Sequence, residues 1–190
     1  MSAAETKDRI LDAAFAEFSE YGVAGARVDR IAKKARCNKN LIYVYFENKE
    51  TLFGAVLQRH LFDAYDGVPF DPDDLPGLAG RVFDRARSNP GVYRLLAWAT
   101  LERTTALPPT REREHDRKVA LLRERQKAGA VRDDISPVLL LMAVLALATA
   151  WSPDFPFGST ANPSADLPDD EVRDAVVRMV AGITGQEKQG

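Results

Sequence analysis

The sequence has 190 residues, enough for one large domain or for a small domain followed by a medium one. Apolar residues make up 45% of it and charged residues 28%, which is a globular composition and excludes a disordered chain. A single cysteine excludes an intramolecular disulfide, and Met1–Lys7 lacks the apolar core of a secretion signal, so we expect a cytoplasmic protein. The longest apolar run, Val138–Trp151, is shorter than the ~18 residues of a membrane span and predicts a buried helix.

The formal net charge of −2 hides an uneven distribution of charge along the chain. Seven Lys and Arg residues but only two acidic residues lie between Ala24 and Lys49, so this segment carries +5 and the remainder −7. A local basic patch can attract DNA phosphates whatever the net charge, because charges are screened beyond about 8 Å at physiological salt. A run of charged residues alone more often forms a solvated face, so the motif that contains the run determines whether it indicates DNA binding.

The spacing of the apolar residues predicts an all-α chain of about nine helices. In chain order the predicted helices cover residues 4–21, 28–35, 38–45, 49–65, 78–88, 91–105, 111–129, 137–152 and 169–185. Ser2 and Glu5 fit a capping box before the first helix, and Gly22 fits its C-terminal stop. Asn48 fits the N-cap of the fourth helix.

Proline marks two irregular segments and suggests the domain organisation. Residues 66–76 contain three prolines and four aspartates and predict a linker, whereas the proline-rich segment 152–168 predicts a long loop. We therefore expect a helix-turn-helix domain over residues 1–48, a connecting helix over 49–65, and a larger helical domain over 66–190.

Two short helices joined by a tight turn at Arg36–Cys37 match a helix-turn-helix, whose second helix enters the DNA major groove. One arc of that second helix is polar or mixed and comprises Lys39, Asn40, Tyr43 and Val44. Ile42 and Phe46 lie on the opposite arc, where we expect them to pack against Ile31 and the first helix. This division is what a recognition helix requires.

Side-chain chemistry gives the exposed residues provisional roles. Lys39 can donate to guanine or phosphate, Asn40 can pair with adenine, and Val44 can contact a thymine methyl group. The hydroxyl groups of Tyr43 and Tyr45 can reach phosphate oxygens.

Three further residues, Arg27, Asn38 and Lys49, are expected to position the protein on the phosphate backbone without reading sequence. Lys49 lies in the first turn of the fourth helix, where the helix N-terminus already attracts an anion.

At this point the sequence resembles the tetracycline-repressor (TetR) family of bacterial transcription regulators. The resemblance covers residues 6–57 and is carried by Arg9–Ala14, Phe18, Gly22, Val28, Asp29, Ile31, Ala32, Ala35 and, most specifically, Leu41–Phe53. It implies a homodimer that binds a palindromic operator in duplex DNA and releases it when a small-molecule effector occupies the C-terminal domain.

Three residues depart from the family pattern. Arg36 stands where the family usually has glycine in the turn, so we expect either a positive φ at Arg36 or a slightly different turn. Arg27 replaces a usual threonine or serine, and Asn40 replaces a common small residue. The operator sequence therefore cannot be predicted by analogy.

Aromatic and sulfur-containing residues of the second domain are candidates for an effector cavity. The resemblance favours a cavity among helices 5 to 8, which we expect to be lined by Tyr93, Trp98, Met142 and Trp151. Arg94 and Glu102 are candidate polar groups beside it. The alternative for each aromatic residue is that it simply fills the core.

The helix over Val138–Trp151 is apolar on all sides, so it must be buried on all sides. The last helix offers a matching stripe of Val172, Val176, Val177, Val180 and Ile183. Together they predict a homodimer through the last two helices, as a four-helix bundle across a two-fold axis. The alternative is a monomeric core.

Other function classes find less support in the sequence. We expect no enzyme activity, since no nucleophile–base pair or phosphate-binding glycine loop is visible, and no cofactor or metal, since His60 and His115 are isolated. Cys37 is either a redox switch or a small apolar filler of the turn, and we favour the filler. An all-α carrier or enzyme without DNA binding and a non-specific architectural DNA binder remain the alternatives.

Overall fold

The computed structural model describes residues 2–61, 67–102, 109–152 and 167–186. These residues form helices and connecting segments, and none of them forms a strand. The helices are α1 (Ala3–Gly25), α2 (Val28–Ala35), α3 (Lys39–Phe46), α4 (Lys49–Leu61), α5 (Leu75–Ser88), α6 (Pro90–Leu101), α7 (Pro109–Lys127), α8 (Pro137–Thr149) and α9 (Asp169–Thr184). The predicted all-α fold is thus confirmed. Most of the predicted linker lies within the described part, and most of the 152–168 loop lies outside it.

Side-chain caps explain where several helices begin. Ser2 Oγ accepts the Glu5 N–H at 3.2 Å while the Glu5 carboxylate accepts the Ser2 N–H at 2.9 Å, which confirms the predicted capping box. Asn48 Oδ1 accepts the Thr51 N–H at 2.7 Å ahead of α4, as predicted. Asp74 caps α5 in the same way, so that helix begins at Leu75, three residues earlier than predicted.

The chain divides into two compact units, and the division differs from the predicted boundaries. One unit comprises Met1–Asp63 and Gly91–Ala106, and the other comprises Ala64–Pro90 and Leu107–Gly190. The sequence placed α6 in the C-terminal domain, but α6 groups with α1–α4. The reason is packing, because Leu95 of α6 is 0% exposed and completes the core that α1–α4 form.

The first unit has its core between α1, α2, α3, α4 and α6. Its most deeply buried large side chains are Ile10, Phe18, Ile31, Ile42, Leu52, Phe53, Leu57 and Leu95. Phe18 of α1 meets Phe53 of α4 edge-on, with ring centroids 5.1 Å apart. This arrangement holds the short helices α2 and α3 against the longer α1 and α4.

Helix α1 continues past the predicted stop, with a break inside it. Gly22 has φ 66° and ψ −176°, a region that residues with a side chain essentially avoid. One further turn follows and closes through the Ala26 N–H, which donates to the Gly22 carbonyl at 3.2 Å.

The second unit is built from α5, α7, α8 and α9. Helix α9 packs chiefly on α5, and its residues Val172, Val176 and Val180 are buried there. The expectation that these valines face a second subunit is therefore wrong, because the chain's own core uses them. Helix α8 buries one face, whereas Leu139 and Met142 on its other face are 60% and 55% exposed.

No helix within the described ranges is both long enough and apolar enough to cross a bilayer.

Candidate nucleic-acid interface

The turn between α2 and α3 closes as the sequence predicted. Arg36 adopts the left-handed conformation, with φ 51° and ψ 49°. Its N–H donates to the Lys33 carbonyl at 3.2 Å, and the Cys37 N–H donates to the Ala32 carbonyl at 3.0 Å. These bonds satisfy carbonyls at the end of α2, and the turn then leads directly into α3.

The two faces of α3 separate as expected. Ile42 and Phe46 are buried in the core of the first unit. Asn40, Tyr43 and Val44 lie on the opposite side, where Tyr43 is 40% and Val44 77% exposed. The helix is thus anchored along one side and free to contact a ligand along the other.

Lys39 shares the exposed side of α3 but is already paired. Its Nζ donates to Asp29 Oδ2 at 3.0 Å, across the junction of α2 and α3. The hydrogen bond to Asp29 raises the pKa of Lys39, so the ammonium stays charged at neutral pH. Any contact between Lys39 and a base or phosphate must therefore compete with, or share, Asp29.

Three residues that were predicted to contact DNA phosphates form hydrogen bonds to the protein's own main chain. The Tyr45 hydroxyl donates to the Ala3 carbonyl at 3.4 Å, and the Tyr45 ring is partly buried. Asn38 Oδ1 accepts the Asn40 N–H at 2.9 Å and so caps α3. Lys49 Nζ donates to the Ala26 carbonyl at 3.3 Å.

A carboxylate that sequence reasoning missed fixes the start of α2. Glu17 of α1 is almost fully buried, and its Oε1 accepts the Arg27 N–H at 2.9 Å and the Arg30 Nε–H at 2.7 Å. The bond from Glu17 also raises the pKa of Arg30. Arg27 itself is the exposed N-cap residue of α2. The available signal was a charged residue on the apolar face of the first helix.

The polar groups expected beside an effector cavity contact α1 instead. Glu102 accepts the Val23 N–H at 3.0 Å and the Ala24 N–H at 3.2 Å. Arg94 Nη1 lies 3.5 Å from the Glu20 carboxylate. Both residues therefore make contacts within the first unit.

The four residues predicted to line the cavity fall in different units. Tyr93 and Trp98 lie on α6 in the first unit, whereas Met142 and Trp151 belong to the second. Trp151 is partly buried against the core of the second unit, but Met142 faces outward from α8. The structure does not bring the four together within one unit.

Cys37 and His60 both pack against other side chains of the first unit. Burial raises the pKa of the Cys37 thiol, although Arg9 nearby opposes the change, so the thiolate is disfavoured at neutral pH. His60 stacks on Phe15 with ring centroids 4.0 Å apart, which ties α4 to α1. The environment of Cys37 supports the filler role over the redox switch.

Comparison with known proteins agrees with this geometry. Residues 10–56 match the model of bacterial regulatory proteins of the tetR family, and residues 74–181 match that of the tetracyclin repressor-like C-terminal domain. The chain is 45% identical over 150 residues to the HTH-type transcriptional repressor SCO4008 of Streptomyces coelicolor, covering 77% of this chain and 78% of that protein.

Solved structures give the same result over almost the whole length. A putative transcriptional regulator from Streptomyces coelicolor, SCO4942, aligns with a TM-score of 0.85 at 35% identity, covering 96% of this chain and 99% of that one. AibR, solved in complex with isovaleryl coenzyme A and operator DNA, shares the fold with a TM-score of 0.66 at 17% identity, covering 92% of this chain and 97% of that one. With its anchored α3 and two matching family models, the chain belongs to the TetR family and is a helix-turn-helix transcriptional regulator.

Proposed function

We propose that the protein is a homodimeric repressor that binds a palindromic operator and releases it when a small molecule binds. The observation that carries the DNA-binding part is the anchored α3 with its exposed outer side. Asn40, Tyr43 and Val44 stand clear of the core, while Ile42 and Phe46 fix the orientation of the helix. A helix held in this way can enter a major groove without rearranging.

The DNA contacts divide into reading and positioning. Asn40 and Val44 are proposed to contact base edges, Lys39 to reach a guanine or a phosphate from beside Asp29, and the Tyr43 hydroxyl to reach a phosphate. Arg27 and Lys49 are proposed to contact phosphates.

Asn38 and Tyr45 are proposed to act mainly by holding α3, because Asn38 caps that helix and Tyr45 donates to the Ala3 carbonyl. Each can still offer its remaining polar atoms to a phosphate.

Selection of bound duplexes from a random pool tests the DNA-binding proposal. We expect a palindrome with half-sites separated by about 34–36 Å or a multiple of that distance. Val44→Ala should change the preferred base at one position of each half-site and leave the salt dependence intact. Lys49→Ala should lower the slope of log K against log salt by about 1 and leave the sequence unchanged. Absence of enrichment would refute the proposal, and salt-dependent binding without sequence preference would identify a non-specific binder.

A second copy of the chain is the proposed occupant of the outer face of α8. Leu139 and Met142 lie one helical turn apart there and are more than half exposed. Val138 of α8 and Met179 of α9 are also substantially exposed. Exposed apolar side chains of this size grouped on neighbouring helices indicate a contact surface. This assignment moves Met142 from the effector cavity to the subunit interface.

Light scattering at micromolar concentration tests the dimer. Leu139→Glu should give a monomer with unchanged helix content, because a charge would be buried at the interface. Leu101→Glu is the matched control, since Leu101 is exposed on α6 in the first unit. A wild-type monomer, or a Leu139→Glu dimer, would contradict the proposal.

The effector is proposed to bind in the second unit near the end of α8. Trp151 Nε1 and Ser152 Oγ are both shielded there, and neither has a hydrogen-bond partner among the described residues. Shielded polar groups without partners cost about 1–3 kcal/mol each, so a ligand that supplies acceptors there gains affinity. Tyr93 and Trp98 are proposed to respond to the effector through α6 and not to contact it.

The release mechanism requires the effector to prefer one arrangement of the dimer. A ligand that shifts α4, the helix that follows α3 in the first unit, would change the spacing between the two α3 helices. A thermal-shift screen of small molecules followed by DNA release identifies the effector. In the Trp98→Phe variant, Trp151 is the only tryptophan, and its fluorescence should change on binding. Unchanged Trp151 emission at saturating effector would contradict the proposed site. We propose a cytoplasmic location, since that is where a bacterial operator would be bound.

A further inference from the structure

The connection between α1 and α2 begins with a helical turn of its own. Gly22 breaks α1, and the Ala26 N–H donates to the Gly22 carbonyl at 3.2 Å to close a new turn. The first N–H groups of any new helical turn have no acceptor within that turn. Here those groups belong to Val23 and Ala24.

A carboxylate from another helix supplies the missing acceptors. Glu102 Oε2 accepts the Val23 N–H at 3.0 Å, and Glu102 Oε1 accepts the Ala24 N–H at 3.2 Å. An ionised acceptor at the start of a helical turn is favoured both by the hydrogen bonds and by the direction of the peptide dipoles. Glu102 thus caps the turn Gly22–Ala26 from a position 78 residues or more along the chain.

Glu102 is itself held in place by α6. Its own N–H donates to the Trp98 carbonyl at 2.9 Å, so its backbone continues the last turn of that helix. The Trp98 ring lies directly against Gly22, because a Cβ built there would be 2.8 Å from Trp98 Cε3. The Glu102 carboxylate and the Trp98 ring therefore both contact the turn Gly22–Ala26.

The capped turn sets where α2 begins. Two other contacts hold its far end: Lys49 Nζ of α4 donates to the Ala26 carbonyl at 3.3 Å, and Glu17 of α1 accepts the Arg27 N–H at 2.9 Å. Helices α1, α4 and α6 consequently each fix one part of the connection.

We infer that Glu102 is a positioning residue for DNA binding, whose carboxylate caps the Gly22–Ala26 turn and so fixes the entry of the chain into α2. The inference rests on the DNA-binding function proposed above. It gives Glu102 a role that differs from a polar contact to an effector. Loss of the cap lets the turn fray, which lowers the fraction of molecules that present α2 and α3 correctly.

The test compares Glu102→Ala, Glu102→Gln and the control Thr100→Ala. Thr100 lies on the same helix, and its hydroxyl donates to the Leu96 carbonyl within α6. Two quantities are measured: the Kd for the selected operator duplex, and the hydrogen exchange of the Val23 and Ala24 amides.

Glu102→Ala should weaken the Kd by about tenfold and remove the protection of both amides. Glu102→Gln keeps one carbonyl oxygen and should fall between Glu102→Ala and the wild type. Thr100→Ala should stay within about twofold of the wild type.

The inference is overturned if Glu102→Ala leaves the protection of Val23 and Ala24 unchanged. It is also overturned if protection is lost while the Kd stays at the wild-type value. If Glu102→Ala lowers the overall helix content, Glu102→Gln decides, because it keeps the side-chain volume. A wild-type protein that binds no duplex refutes the proposed function instead, while amide exchange still tests the cap.

Discussion

Replacing Gly22 by alanine combines two separate costs. The residue has φ 66° and ψ −176°, a conformation essentially confined to glycine, and holding another residue there costs about 1–3 kcal/mol. The new Cβ would also lie 2.5 Å from Glu102 Oε1 and 2.8 Å from Trp98 Cε3. Relieving such overpacking costs about another 1–3 kcal/mol.

The total of about 2–6 kcal/mol is a large part of the stability of an ordinary domain, which is about 5–15 kcal/mol. For a chain of this size each 1 kcal/mol moves the melting temperature by about 2–4 °C, so we expect a fall of about 4–24 °C. Urea unfolding monitored by circular dichroism gives the free energy of unfolding, and a thermal scan gives the Tm.

Gly129→Ala is the matched control for this substitution. Gly129 also has a positive φ of 72°, but nothing lies within 4 Å of a Cβ built there. Only the backbone term applies, and the expected loss is about 1–2 kcal/mol. If Gly22→Ala cost no more than Gly129→Ala, the close packing of Trp98 and Glu102 on the α1 break would be refuted.

Two further substitutions and one chemical reaction test the turn, the ion pair and the thiol of the candidate interface. Arg36→Gly should raise the free energy of unfolding by about 1 kcal/mol in urea, since glycine adopts the left-handed conformation of Arg36 without strain; an unchanged or lower value would contradict this. Asp29→Asn should tighten operator binding and steepen its salt slope by releasing Lys39, and the gain in affinity should shrink in a Lys39→Ala background; equal gains in both backgrounds would mean that the ion pair is irrelevant. Cys37 should react with iodoacetamide at pH 7.5 more slowly than glutathione does, because its raised pKa leaves less thiolate, and a faster reaction would revive the redox switch.

Local features of the fold were predictable because they depend on residues close in sequence. Val28–Ala35 was predicted to be helical with those bounds, and the positive φ of Arg36 is one of the two outcomes that the resemblance implied for a turn that usually holds glycine. The two faces of α3 followed from helical periodicity and the burial of Ile42 and Phe46.

Features that depend on distant contacts were not predictable from one sequence. The sequence marked Trp98 and Glu102 as cavity candidates, because nothing local indicates that α6 packs on α1. The stripe of valines on α9 was correctly identified as apolar, but its partner could not be: α5 of the same chain covers it. Periodicity shows which face a helix buries and leaves open what buries it.

The placement of α6 limits how this regulator can be taken apart. The chain leaves the first unit after Asp63, returns at Gly91 and leaves again after Ala106. A fragment ending near residue 63 would lack Leu95, which is fully buried, and would expose the apolar surface that Leu95 covers. A hybrid regulator that joins α1–α4 to the second unit of another protein must therefore also contain α6. Recombination that keeps the whole first unit and replaces the whole second unit would need three matched breakpoints, after Asp63, before Gly91 and after Ala106.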